Sequence, residues 1–188
     1  VNGYGLSESH WGGYSQRQRV NADYLVKLEA VFNTEQAMAI GTAGYTAMLC
    51  VMAIQDHGVT PEHGPVLVTG AAGGVGSVAI MLLAKLGYQV TASTGRVDAC
   101  KAQLIGLGAS EVVDRQAFNV ESKPWAGEKW AAVVDSVGGQ PLATILAQVN
   151  YEGIVAACGL AAGMSLPSSV APFILRGGTL RGIDSVMA

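Results

Sequence analysis

Val66-Leu67-Val68-Thr69-Gly70-Ala71-Ala72-Gly73-Gly74-Val75-Gly76-Ser77 is the stretch that decides the fold. Its first residues form a short, continuous apolar run of the kind shown by parallel strands buried on both faces. The glycine cluster that follows lies where a strand gives way to a helix running to about Leu86, and Tyr88 to Ala92 then reads as a second strand. Strand, glycine turn, helix and strand fit within about 30 residues, as a dinucleotide-binding βαβ unit requires. At such a turn a pyrophosphate can rest on backbone N–H groups at the positive end of the helix dipole. Ala71 stands where the usual fingerprint has its first glycine, a departure that widens the family choice and leaves the turn feasible.

Downstream the alternation continues. A helix is expected from about Val97 to Leu107, stopped by Gly108, and a short strand at Glu111 to Val113. Trp130 to Asp135 is the next strand, Gly138-Gly139 opens a helix reaching about Val149, and Gly153 to Ala157 is a fifth strand. Pro172 to Arg176 reads as a short helix and Thr179 to Ile183 as a sixth strand. The fold class is therefore α/β, a doubly wound parallel sheet of Rossmann type.

Upstream, Thr34 reads as a helix cap before Glu35 and Gln36, and Thr42 to Gln55 is a long, mostly apolar helix. Val1 to Leu28 is rich in glycine, polar groups and aromatics, with strand-like pieces at Tyr14 to Val20 and Tyr24 to Leu28, and reads as the end of something larger.

With 188 residues, 50% hydrophobic and 13% charged, the chain can bury one substantial core and leaves little room for two complete domains. A net charge of -3, evenly spread, argues against a nucleic-acid or anionic-membrane partner. The longest apolar runs, such as Val78 to Leu83, fall far short of the roughly 20 residues of a spanning helix. No export signal is visible, and the chain does not start with Met. Cys50, Cys100 and Cys158, odd in number and without CxxC spacing, fit reduced, mostly buried thiols in a cytoplasmic protein.

The cofactor is decided at the end of the second strand, which reads Ala92-Ser93-Thr94-Gly95-Arg96. An NAD site places a carboxylate there for the ribose hydroxyls. Here Ser93, Thr94 and Arg96 offer hydroxyls and a bidentate cation for a 2′-phosphate, so NADPH is expected. The competing reading makes Arg96 a solvated residue and Asp98 the ribose ligand. Arg115, after the third strand, can stack on adenine or reach the same phosphate, or be a plain surface residue. His10, His57 and His63 have no partner at metal-ligand spacing and read as loop or capping residues. Ser136 has no general base beside it and reads as a turn residue.

Ile40-Gly41-Thr42-Ala43-Gly44-Tyr45-Thr46-Ala47, Gly70 to Ser77, Ser93 to Arg96 and Ile183-Asp184-Ser185-Val186 together resemble the zinc-independent quinone-oxidoreductase branch of the medium-chain dehydrogenases. His10-Trp11-Gly12-Gly13-Tyr14, Met38-Ala39-Ile40-Gly41, Pro172-Phe173-Ile174-Leu175-Arg176 and Asp184-Ser185-Val186-Met187 resemble its NADPH-dependent acryloyl-CoA (acrylyl-CoA) reductases specifically. The resemblance covers nearly the whole chain. It implies a longer parent protein, with residues 1–33 ending an N-terminal GroES-like substrate lobe, 34–183 forming the NADPH-binding domain and 184–188 starting the return to the lobe. It implies that Thr42 lies at the cofactor and that Gly73, Gly74, Val75, Gly76, Ser77 and Val78 line the pyrophosphate. Ser93, Thr94, Gly95 and Arg96 would hold the adenosine phosphate with Arg115 beside them, and Leu160, Ile174 and Ser185 would approach the nicotinamide.

In zinc-dependent relatives a Cys ligates metal near the start of the long helix, where this chain has Gly41-Thr42, so a metal-free mechanism is implied. The implied activity is reduction of an activated carbon–carbon double bond, acryloyl-CoA first, by hydride transfer. A quinone or alkenal reductase and a cofactor-binding module without catalysis are the alternatives. No catalytic acid is named. The Thr179 to Ile183 strand would lie at the sheet edge and invite pairing with a second copy, giving a homodimer.

Overall fold

The structure is a computed structural model and describes residues 3–121 and 123–186. Val1, Asn2, Ser122 and Ala188 lie outside the described residues, as does Met187 of the tail quoted above.

Six strands, β1 (Val66–Val68), β2 (Val90–Thr94), β3 (Glu111–Asp114), β4 (Trp130–Asp135), β5 (Val149–Ala157) and β6 (Thr179–Gly182), form one sheet. Its order is β3-β2-β1-β4-β5-β6 and every pairing is parallel. This is the doubly wound order whose direction of winding reverses between β1 and β4, the place where such sheets bind ligands.

The strands read as unbroken apolar runs because both faces are covered. Val66, Val68, Val90, Ala92, Ala132, Val134, Ile154 and Ala156 pack into one core with α1 (Thr34–Asp56), α2 (Gly74–Lys85) and α3 (Val97–Gly106). The alternate residues Leu67, Val133 and Val155 pack the other way, against α4 (Gly139–Leu146) and Phe118, with Phe173 of α5 (Ala171–Arg176) at its margin. Each fully buried Val, Leu or Ile contributes about 1.5–3 kcal/mol relative to exposure.

α1 is the longest element, and by length and composition it could cross a membrane, a feature the apolar-run reading overlooked. Its second part instead buries Ala47, Cys50, Val51, Ala53 and Ile54 in the sheet core. The helix is also broken at Gly41, whose φ of 47° and ψ of -157° are not helical. Its cap is Asn33 rather than Thr34: Asn33 Oδ1 accepts from Gln36 N at 2.8 Å, and Gln36 Oε1 accepts from Asn33 N at 3.0 Å.

Three further elements shift by two or more residues, each for a local reason. β2 begins and ends two residues later than expected. Tyr88 closes the α2–β2 turn, with its N–H on Leu83 O and its hydroxyl on Val59 O, while Ser93 and Thr94 pair with Val113 and Asp114. α4 stops at Leu146, and β5 begins at Val149 because Gln148 O accepts from Lys129 N at 2.8 Å and its side chain accepts from Trp130 Nε1. Glu152, at φ 56°, then reshapes β5 before it rejoins the ladder at Ile154. The pieces at Tyr14 to Val20 and Tyr24 to Leu28 are not strands. They have no ladder partner among the described residues, and a strand exists only where its N–H and C=O groups are paired.

Candidate cofactor site

The site starts from the glycine turn. A Cβ on Gly76 would fall 2.5 Å from Gly70 O and 2.7 Å from Ala71 Cα, so only glycine lets the first turn of α2 close against the end of β1. The first intrahelical bond runs from Ser77 N to Gly73 O at 3.0 Å. The N–H groups of Gly74, Val75 and Gly76 therefore have no intrahelical partner and point out of the helix start. Ser77 and Val78 sit one turn further on: Ser77 Oγ donates to Gly74 O, and Val78 packs into the core.

Beside this turn is a cleft of about 670 Å³. Gly73 and the neighbouring Thr69, Gly70 and Ala72 line one wall, and Ser93, Thr94, Gly95, Arg96 and Arg115 line another. Thr94 Oγ1 accepts from Arg96 N at 3.2 Å, fixing the bend that carries the chain from β2 into α3. Asp98 lies one residue into α3 and is not part of the cleft wall. Arg115 lies close against Gly95: a Cβ there would sit 2.6 Å from Arg115 Nε and 2.9 Å from Cζ. The two arginines thus flank one glycine at the mouth of the cleft, both exposed, with no carboxylate among the described residues of the wall.

The remaining expected residues are not part of this wall. Thr42 follows the break in α1, and Ala43 beside it lies 3.0 Å from where a Gly74 Cβ would be, so the start of the second part of α1 abuts the start of α2. Leu160 is exposed after β5, Ile174 is exposed on α5, and Ser185 is half-buried beyond β6. The structure adds residues that the sequence reading passed over. Gln116, Phe118 and Asn119 after β3, Val137 and Pro141 at the start of α4, and Ala161 and Ala162 after β5 complete the cleft. Their signal was positional, since each follows the carboxyl end of a strand.

Beneath the cleft the carboxylate of Asp135 is completely buried. Thr69 Oγ1 donates to Oδ1 at 2.6 Å and Gly138 N donates to Oδ2 at 2.8 Å. Burial pushes its pKa up, partly opposed by these hydrogen bonds. Ser136 is a turn residue, as expected: its N–H donates to Thr69 Oγ1 and its hydroxyl to Thr69 O. His57 is the C-cap of α1, its N–H donating to Ala53 O, and its Nε2 meets Glu152 O; His63 Nδ1 meets Thr60, and His10 lies in a loop beside Ser9.

A family model described as zinc-binding dehydrogenase matches residues 74–187, more than half of the chain. The chain belongs to that family. Within the family, the chain is 57% identical over all 188 residues to the acrylyl-CoA reductase AcuI of Ruegeria pomeroyi. It is 46% identical, over 97% of its length, to the putative quinone oxidoreductase YhfP of Bacillus subtilis. Among solved structures, the yhdH oxidoreductase of Salmonella enterica in complex with NADP superposes on 99% of the chain with a TM-score of 0.95 at 54% identity. The chain spans 57%, 56% and 57% of these three family members' own lengths.

Proposed function

We propose that this chain is the cofactor half of an NADPH-dependent reductase that acts on an activated carbon–carbon double bond, with acryloyl-CoA as the first substrate to test. The observation that carries this reading is the pair Arg96 and Arg115 flanking Gly95 at the end of β2, in a cleft shared with the glycine turn. Two guanidinium groups and no carboxylate suit a 2′-phosphate and disfavour a bare ribose diol. The 57% identity to an acrylyl-CoA reductase and the superposition on an NADP complex support the same reading.

When bound, the nicotinamide supplies the hydride. The chain's own residues hold the carrier. The N–H groups of Gly74, Val75 and Gly76 meet the pyrophosphate, while Arg96 and Arg115 neutralise the adenosine phosphate with Ser93, Thr94 and Gly95 beneath them. Gly73, Ser77 and Val78 shape the turn, and Thr42, Leu160, Ile174 and Ser185 are assigned to the nicotinamide side. We also assign residues 1–33 to the end of a substrate lobe, 34–183 to the nucleotide domain and 184–188 to the return. We also assign a metal-free role to this part of the chain. The free cysteines suit a cytoplasmic setting. β6 is an edge strand, which supports a homodimer formed through it.

A quinone reductase is the second reading, favoured by the 46% identity to YhfP. Steady-state kinetics of the full-length protein with NADPH separate the two. Rapid oxidation of NADPH by acryloyl-CoA and slow oxidation by benzoquinone supports the first; turnover confined to the quinone overturns it in favour of the second.

A further inference from the structure

The lining of the cleft hangs on two different parts of the sheet. The arginine wall follows β2 and β3, and Ala71 N, donating to Ser93 O at 3.1 Å, links it to the glycine turn. Val137, Ala161 and Ala162 instead follow β4 and β5. Their two loops are locked together. Ala162 N donates to Val137 O at 2.8 Å, a Cβ on Gly159 would lie 2.9 Å from the Ser136 carbonyl carbon, and one on Gly138 would lie 3.2 Å from Leu160 Cα. These loops are fastened to the glycine turn at Thr69. Its hydroxyl donates to Asp135 Oδ1 at 2.6 Å and accepts from Ser136 N at 3.1 Å, and its carbonyl accepts from Ser136 Oγ at 3.2 Å. Asp135 Oδ2 accepts from Gly138 N and Asp135 O from Cys158 N, both at 2.8 Å, so one fully buried residue holds the start of both loops.

The sheet order places the arginines on one side of β1 and Val137 with Ala161 and Ala162 on the other. With a pyrophosphate at the start of α2 and the adenosine phosphate on the arginines, the other half of the dinucleotide extends over β4 and β5. We propose that Asp135 is a positioning residue for hydride transfer: through Gly138 N and Thr69 it fixes the loops that carry Val137, Ala161 and Ala162, against which the nicotinamide half is set. This role rests on the NADPH reading above. Asp135 itself touches neither cofactor nor substrate, and its effect is on geometry, where a displacement of about 1 Å costs on the order of 100-fold in rate.

The test compares the full-length protein with Asp135→Asn, Thr69→Val and Thr69→Ser, the last of which keeps the hydroxyl. An Asn side chain offers one acceptor atom where Asp offers two, so one donor loses its partner. Three quantities are read: amide hydrogen exchange of the cofactor-free proteins, affinity for adenosine 2′,5′-bisphosphate by calorimetry, and kcat with NADPH and acryloyl-CoA. In Asp135→Asn and Thr69→Val, exchange is expected to quicken in the loops after β4 and β5 and not in the one after β2. Affinity for the bisphosphate stays within about 2-fold, kcat falls about 10- to 100-fold, and Thr69→Ser stays close to the parent protein. Exchange that quickens equally in all three loops, bisphosphate affinity that falls as far as kcat, or an unchanged kcat would overturn the proposal. A parent protein that does not bind the bisphosphate would overturn the NADPH reading itself, and the positioning role with it. A parent protein that binds it and turns over only benzoquinone overturns the acryloyl-CoA assignment alone, and the fall in kcat with benzoquinone then decides the role of Asp135.

Discussion

Thr69 and Asp135, 66 residues apart, are joined by a 2.6 Å hydrogen bond from Oγ1 to Oδ1 at the carboxyl ends of two adjacent strands, β1 and β4. Thr69 is the residue from which the glycine turn departs, so this bond ties the turn to the strand beside it. The same hydroxyl accepts from Ser136 N at 3.1 Å. Thr69→Val keeps the shape and removes both bonds, leaving a buried carboxylate oxygen and an N–H unpaired. A loss of about 1–3 kcal/mol of stability is expected from urea denaturation. An unchanged midpoint would show that water substitutes for the hydroxyl.

Asp135 also sets a pH dependence. Burial raises its pKa in the folded protein above the ordinary carboxylate value. Between those two values the folded state binds the proton more tightly than the unfolded state does, so stability falls as pH rises through the window. Asp135→Asn removes this contribution. Its urea midpoint, followed from about pH 4 to pH 8, is expected to decline less steeply than that of the parent protein across the window. Parallel profiles would contradict the assignment.

Gly76→Ala places a methyl group against the backbone of Gly70 and Ala71, which cannot move without opening the start of α2. The expected cost is about 1–3 kcal/mol in stability. A weaker NADPH affinity in calorimetry is expected with it, because the same shift misaims the N–H groups of α2.

Arg176 gives a contrasting case far from the cleft. It is buried, donates to Ala147 O at 2.8 Å, Val149 O at 3.0 Å and Ala126 O, lies 4.1 Å above the Trp125 ring and faces Glu128 at 3.6 Å. Arg176→Met removes all three of these hydrogen bonds, although Ala147 O still accepts from Ala126 N at 3.1 Å; each buried carbonyl left unpaired costs about 1–3 kcal/mol. The thermal midpoint is expected to fall sharply, while protein that remains folded binds NADPH as before.

The glycine turn and the alternating strands were legible because their signals are local: apolar runs of strand length, glycines at fixed offsets and a basic residue after β2. The Rossmann class follows from that alternation, whereas the order β3-β2-β1-β4-β5-β6 is set by which strands pair in the folded sheet. The later boundaries of β2 were hidden because Ser93 and Thr94 are polar yet buried, paired with β3 rather than recognised by hydrophobicity. The expected strands before Leu28 failed for the opposite reason, since their residues suit a strand and no partner lies beside them. The cap at Asn33 was one residue from the expected Thr34, a distinction that depends on which side chain reaches Gln36 N. The pairing of Thr69 with Asp135 was invisible because only the folded sheet brings them together.

The most direct test of the cofactor assignment is calorimetric titration with NADPH and NADH of the parent protein, Arg96→Ala and Arg115→Ala. The expected result is tight NADPH binding that weakens about 10- to 100-fold in each variant, with NADH affinity nearly unchanged. Equal affinity of the parent protein for both cofactors, or equal losses for both in the variants, would contradict the assignment of the arginine pair to a 2′-phosphate.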